Sequence, residues 1–361
     1  MLSKTYRRQN FNKGRCRLVI MSQQAPVEPL VSVVPAPEVG LNVFTNEIPP
    51  WTPGKGVRGI FGGFLIAQAV RAAQHSTEPT FAVHALQSVF LKPGKATSQI
   101  YYHVDRLADG RNFATRLVRT VQDGAVIFVA TVGLQRQDPA GGSLPFRNLE
   151  HALPPPDMDG KGPDDIPDAS KDHLLFMVGF KTSTSESSSI DDPFEWRHLL
   201  DRPAEEAGQP APPSPPQPTA PHSFRLRSYV RSSPLSRAAG PAEHLASLAF
   251  LTDEWLIALV NLAHPEMLSR RRREPLTIET AEQVNTVRAP TIAVQASMHH
   301  NVLFHDAGAR ADGWLISERR TSWAGEGRVL VEQRFWSLET GRLVLSCWQE
   351  GLVRLKDGSK L

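Results

Sequence analysis

The sequence has very little cysteine: Cys16 and Cys347 are the only two in 361 residues. Two cysteines so far apart build no disulfide scaffold and lack metal-ligand spacing, which fits a reducing interior. No run of eighteen apolar residues occurs, so no helix is expected to span a membrane. Charge of one sign is nearly absent too. Forty Lys and Arg against 37 Asp and Glu leave a net +3, too small a surplus to point to nucleic acid. Familiar catalytic signatures are also missing. There is no G-x-S-x-G elbow, which argues against an α/β-hydrolase, and no H-E-x-x-H zinc helix. What the chain does have is a 40% hydrophobic content, enough for the core of one large or two ordinary domains.

The chain divides by composition. Lys4, Arg7, Arg8, Lys13, Arg15 and Arg17 all precede the first acid, Glu28. Arg-rich, acid-free beginnings resemble mitochondrial transit peptides, but Asn10, Asn12 and Gly14 weaken any amphipathic helix. Residues 1–40 therefore read as a disordered or spurious leader, with Met21 as an alternative start and a mitochondrial address as the minor alternative. Residues 41–137 and 222–356 read as two folded units. Between them, 138–221 carries Pro154-Pro155-Pro156, a Ser/Thr run through Ser189 and a Pro-rich stretch to Pro221. That composition cannot supply a continuous core and reads as a linker. The tail, 357–361, ends in Ser359-Lys360-Leu361, the address read by the peroxisomal import receptor. It predicts a matrix protein of a compartment whose enzymes mostly handle acyl-CoA, amino acids or peroxide.

The two units share an order. In the first, 61–74 is apolar nearly all round, which marks a buried helix. Strand-like segments follow at 83–91, 99–107, 112–121 and 125–135. Asp109-Gly110 and Asp123-Gly124 separate the last three, and Asp-Gly tolerates the positive φ of a hairpin turn. In the second, 245–262 reads as a helix, followed by strands at 293–300, 313–319, 328–338 and 342–355. A helix and then a meander, twice, predicts an α+β fold in which each half is a buried helix wrapped by an antiparallel sheet. A parallel doubly wound sheet is disfavoured, because helices do not alternate with strands.

Gly54-Lys55-Gly56-Val57-Arg58-Gly59 matches G-x-G-x-x-G, but Pro49-Pro50-Trp51-Thr52-Pro53 before it is no strand. It reads as a turn, not a dinucleotide cradle. His299, His300 and His305 cluster, yet neighbours on a strand point to opposite faces, so a metal site is not expected. Arg270, Arg271, Arg272 and Arg273 form either a solvated loop or an attractor for the phosphates of a CoA-type ligand. Three polar residues interrupt core-type elements: Asp253 in an apolar helix, Ser297 in a strand, and Gln349 in an apolar strand. A buried carboxylate is costly and needs a reason. The three either share one internal site or make separate core hydrogen bonds, and spacing does not choose between these.

A resemblance does choose. Phe61-Gly62-Gly63 with Ala67-Gln68-Ala69, His84 through Gly94, and Val104 through Phe113 leading to Ile127-Phe128 resemble the type II acyl-CoA thioesterases. So do Phe304-His305, Ser322-Trp323-Ala324-Gly325 and Gln349 through Arg354 in the second unit. The resemblance implies a tandem double hotdog and hydrolysis of fatty acyl-CoA to free acid and CoA, without cofactor, metal or covalent intermediate. It places the family's catalytic Asp, Ser and Gln on Asp253, Ser297 and Gln349. Gly62, Gly63, His300 and Arg271 follow as substrate-binding candidates, and a homo-oligomer as a possible assembly. Asp suits the activation of a water, and Ser and Gln suit its positioning. Backbone N–H groups at a helix start suit an oxyanion. The chain departs from the family at His299, where an acid is usual, at Phe64, where Gln is usual, and in its long linker. Rival expectations are a non-catalytic acyl-CoA-binding protein and a hotdog enoyl-CoA hydratase. Hydratases of that fold share a Gly-Asp-x-Asn-Pro-x-His segment, and this chain has no Asn-Pro pair.

Overall fold

A computed structural model of the chain describes residues 24–52, 59–137, 149–168, 193–199, 220–264 and 291–356. The strands are β1 (Val33–Pro35), β2 (Val43–Asn46), β3 (Phe81–Phe90), β4 (Tyr101–Asp109), β5 (Phe113–Gln122), β6 (Ala125–Arg136), β7 (Phe194–Leu199), β8 (Arg225–Ser232), β9 (Thr291–Phe304), β10 (Leu315–Gly325), β11 (Arg328–Ser337) and β12 (Leu343–Lys356). The helices are α1 (Val27–Val31), α2 (Gly62–His75), α3 (Pro241–Leu251) and α4 (Leu259–Ala263). All twelve strands join one antiparallel sheet, ordered β1-β2-β4-β5-β6-β3-β9-β12-β11-β10-β8-β7. Outward from the β3–β9 seam, the first half runs β3, β6, β5, β4, β2, β1 and the second β9, β12, β11, β10, β8, β7. The halves thus repeat one order about a pseudo-two-fold axis, which is the expected tandem double hotdog.

The expected central helix of the first half forms as α2. From Gly63 to Gln74 only Arg71 escapes full burial, so hydrophobic burial and not helix propensity holds it. Its exceptions are functional in packing. Gln68 Nε2 donates to the carbonyls of Leu30 and Ser32 at 3.0 and 3.1 Å. Arg71 meets Glu243 of α3 at 2.6 Å, tying the C-terminal end of α2 to the N-terminal end of α3. The two helices therefore lie antiparallel under the seam. The Asp123-Gly124 turn takes φ of 50° and 74°, the left-handed pair that a tight hairpin needs.

Three expectations are corrected. The leader was expected to reach residue 40, yet Ala25, Val27, Leu30, Val31 and Val33 are buried in the main core. Val27, Leu30 and Val31 stand at i, i+3 and i+4 and make one apolar helical face. Prolines 26, 29, 35 and 37 obscured it.

The segment 138–221 was expected to be linker throughout. Its residues 194–199 form β7, the edge strand beside β8. Met158 and Ile166 pack with Leu199, Tyr229, Ile316 and Trp336 on the outer face of the second half. Trp336 Nε1 donates to the Leu153 carbonyl at 2.9 Å, and Tyr229 OH to that of Lys161 at 2.7 Å. A few apolar anchors suffice there because an existing sheet face receives them.

The third correction is the second central helix. It does not run unbroken from 245 to 262. It stops at Leu251, turns through 252–258, and resumes as α4. Thr252 Oγ1 donates back to the Ala249 carbonyl at 2.7 Å, a side-chain bond that competes with helix continuation. Trp255 then adopts a left-handed φ of 55°, rare for a bulky residue.

Candidate active site

The break in the second helix is what exposes Asp253 to partners from three other elements. Its carboxylate lies in the turn after α3, beneath β9 and β12. Gln349 Nε2, on β12, donates to Asp253 Oδ1 at 2.5 Å and to Ser297 Oγ at 3.1 Å. The backbone N–H of Gly63 also bonds the carboxylate. Burial pushes the Asp253 carboxyl up to about 7, although the bonds from Gln349, Gly63 and Ser297 pull it down. Desolvation wins because the charged form has left water and no cation among the described residues replaces it. Gln349 Oε1 has no hydrogen-bond partner among the described residues, leaving a buried acceptor beside the carboxylate.

Ser297 reaches the site through a backbone irregularity. Between β9 and β12, His299 pairs with Glu350 but Ser297 pairs with Gly351, so Met298 is an extra residue in β9. Side chains on a strand alternate. Counting back from inward-facing His300, an unbroken strand would turn Ser297 outward. The bulge at Met298 restores it to the inner face, one of the recurrent uses of a bulge.

Gly62 and Gly63 open α2, and neither has room for a side chain. A Cβ on Gly62 would lie 2.5 Å from Asp253 Oδ2 and 2.9 Å from the Phe90 ring. On Gly63 it would press on the Phe61 ring and come within 2.5 Å of the Phe250 carbonyl. The first half thus supplies a helix N-terminus to a site whose side chains come from the second. Gly351 serves similarly, since a Cβ there would meet Ile257 of the turn at 2.7 Å. We expect Gly62→Ala to cost about 1–3 kcal/mol of stability through overpacking and to lower turnover at least tenfold by displacing Asp253. Paired melting curves and rate measurements check this.

The histidine cluster separates as strand alternation requires. His299 points outward and its Nδ1 meets Glu350 Oε2 at 2.8 Å. The departure at His299 therefore lies on the face opposite Ser297. His300 is fully buried, with Nε2 at 2.8 Å from Thr252 Oγ1. His305 Nε2 pairs with Ser346 Oγ at 3.0 Å. Phe64, the other departure, is wholly buried in α2, and Cys347 is a buried core thiol whose pKa burial raises. Arg271, the tail Ser359-Lys360-Leu361, Cys16 and residues 54–58 of the glycine-rich motif lie outside the described residues.

Sequence reasoning missed Thr252, the Met298 bulge and the Gly351–Ile257 approach. Thr252 and Met298 sit next to singled-out residues, and nothing in a pattern count marks a bulge.

The seam also shows why one half holds the site. The β3–β9 pairing is centred on Gln87 opposite Asn301. By that symmetry Met298 corresponds to His84, and β3 has its own bulge there, between Val83 and Ala85. Ser297 then corresponds to Val83. Gln349, opposite His300, corresponds to Val132, opposite Leu86. Two buried valines stand where the second half has a hydroxyl and an amide, so the pseudo-symmetric end lacks both of these positioning groups.

Comparison with known proteins fits this geometry. Residues 48–135 match the acyl-CoA thioesterase N-terminal domain, and residues 167–353 match the acyl-CoA thioesterase C-terminal domain. The chain belongs to the acyl-CoA thioesterase family. It is 27% identical over 316 residues to acyl-coenzyme A thioesterase 8 of Mus musculus, covering 85% of this chain and 83% of that protein. It is 24% identical over 345 residues to peroxisomal acyl-coenzyme A thioester hydrolase 1 of Saccharomyces cerevisiae, covering 86% and 90%. Among solved structures, acyl-CoA thioesterase II from Mycobacterium marinum superposes with a TM-score of 0.58 at 23% identity, over 93% of this chain and 99% of that one. A hotdog-fold protein from Alicyclobacillus acidocaldarius gives 0.56 at 15% identity, over 92% and 98%. At such identities the structural likeness establishes the double-hotdog fold. The family match also makes this acyl-CoA thioesterase a thioester hydrolase.

Proposed function

We propose that this protein hydrolyses fatty acyl-CoA to free fatty acid and CoA by direct attack of water, with Asp253 as the general base. The observation that carries the reading is the contact of Gln349 with both Asp253 and Ser297. It gathers a buried base and two polar positioning groups from three separate elements. In the forward step Asp253 takes a proton from water as its oxygen bonds the carbonyl carbon. Ser297 and Gln349 orient that water, which lowers the barrier by positioning. The carbonyl oxygen gains negative charge, and the N-terminal turn of α2, which opens at Gly62, offers the positive end of a helix to it. Collapse of the tetrahedral species breaks the C–S bond and releases CoA as thiolate. A thiol with a pKa of about 8.5 leaves without a strong acid, and the proton on Asp253 returns to the products. A base with a pKa of about 7 is matched to this task near neutrality.

The relatives named above as acyl-coenzyme A thioesterases support the substrate class. For location we read the peroxisomal matrix, supported by the name of the yeast relative and by Ser359-Lys360-Leu361 as a receptor-read address. A fluorescent fusion with and without that triplet tests it: punctate signal that turns diffuse on removal supports the address, and no change refutes it. The reaction itself is tested by thiol release from acyl-CoAs running from acetyl to long-chain. Release supports the hydrolase and identifies its preferred acyl length. A folded protein that binds a non-hydrolysable acyl-CoA analogue but releases no thiol would replace it with a binding protein.

A further inference from the structure

Among the described residues His300 is the one fully buried histidine beside the site, and its bonding fixes its tautomer. Thr252 has a single hydroxyl proton, which goes to the Ala249 carbonyl at 2.7 Å. The contact between Thr252 Oγ1 and His300 Nε2 at 2.8 Å must therefore be donated by the imidazole. Nε2 carries the proton, and Nδ1 is left as a bare acceptor with no partner among the described residues. Burial holds the ring neutral by lowering its pKa to about 3. An unsatisfied buried acceptor costs free energy, so a purely structural position would favour an apolar residue. The other half uses one. The pseudo-symmetric counterpart of His300 is Leu86, also buried and also inward-facing on its strand. Leu86 stands opposite Val132 as His300 stands opposite Gln349. The hotdog half folds with leucine here; the imidazole occurs only where the site is.

His300 is also well placed to act at a distance. Its carbonyl accepts from Ser88 Oγ of β3 at 2.7 Å, so the backbone beneath it is tied across the seam. Its ring reaches the residue immediately before Asp253. Its strand carries Ser297, and its cross-strand neighbour is Gln349. One side chain thus connects the turn bearing the carboxylate to the sheet bearing the hydroxyl and the amide.

We propose that His300 is a positioning residue: its Nε2–H holds the Thr252 hydroxyl and, through it, the turn that sets Asp253 against Gln349 and Ser297. The inference rests on the hydrolase reading above but assigns His300 a place behind the substrate. The test uses His300→Leu, which copies the other half, His300→Gln, whose amide N–H can replace the donor, and Thr252→Val, which removes the acceptor at constant shape. For His300→Leu the expected result is kcat at least tenfold lower, KM within twofold, and a melting temperature no lower than wild type. His300→Gln recovers most of the rate. Thr252→Val loses about as much as His300→Leu, and the double variant loses no more than either, as coupled residues should. The inference is overturned if His300→Leu keeps wild-type kcat, if its loss falls on KM alone, or if the two losses multiply. Should His300→Leu fail to fold, Thr252→Val and His300→Gln still decide between these outcomes. If the wild type itself releases no thiol, the hydrolase reading fails separately. The positioning claim is then read from crystals of Thr252→Val: displacement of Asp253 from Gln349 supports it, and an unmoved carboxylate overturns it.

Discussion

Asp253→Asn lowers kcat by about 10³, within the range that a lost general base costs, and at the same time raises the melting temperature at pH 8. The amide keeps an acceptor for Gln349 Nε2 but cannot take a proton from water. The gain in stability follows from linkage. The Asp253 carboxyl titrates near 7 when folded, against an ordinary value of 3.8. Between those values the folded protein holds a proton that the unfolded chain has released. Stability therefore falls as pH rises from about 4 to 7 and is lowest, for this group, above 7. Asparagine has no such slope. The variant should melt well above wild type at pH 8, with the difference shrinking steadily as pH falls and nearly gone by pH 4. A melting temperature that drops at pH 8 would mean that the carboxylate is a net structural asset. That would remove the argument that its burial is maintained for chemistry.

Ser297→Ala gives the second large effect. It removes the hydroxyl that accepts from Gln349 Nε2 at 3.1 Å and leaves the bulge and the rest of β9 in place. We expect turnover to fall about 10²-fold, the scale on which a lost positioning group acts, with the circular dichroism spectrum unchanged. Deleting Met298 should cost less than Ser297→Ala. Without the extra residue Ser297 stands two places from inward-facing His300, so regular alternation keeps it on the inner face, and Gly351 remains its cross-strand partner. Wild-type activity in Ser297→Ala would show that Ser297 takes no part in the reaction.

Much of this fold was legible in the sequence, for identifiable reasons. The α2 segment is apolar all round, and the strands of the meander alternate cleanly between Asp-Gly turns, so burial and periodicity agree. β8 escaped because half of its inward positions are polar. Ser228 faces inward and bonds His198 Nδ1 at 2.8 Å, which erases the apolar alternation. β7 and α1 escaped because each is short and flanked by Pro- or Ser-rich sequence. The site was legible in its residue types but not in its geometry. Asp253, Ser297 and Gln349 stood out as polar interruptions of apolar elements. That they meet depends on a helix break at Thr252 and a bulge at Met298, both set by tertiary packing. Gly62 and Gly63 stood out for their family resemblance. Their physical reason, the approach of Asp253 and Phe250 from the other half, is visible only across the interface.

The most direct test of the account is the pH dependence of kcat/KM for thiol release from the preferred acyl-CoA, measured on the wild type. With Asp253 as the base, the rate rises tenfold per pH unit on the acid side and levels off with a midpoint at about pH 7. Asp253→Asn lacks that limb. A profile that is flat from pH 5 to 8, or one that persists unchanged in Asp253→Asn, would contradict the assignment of Asp253 as the group that activates water.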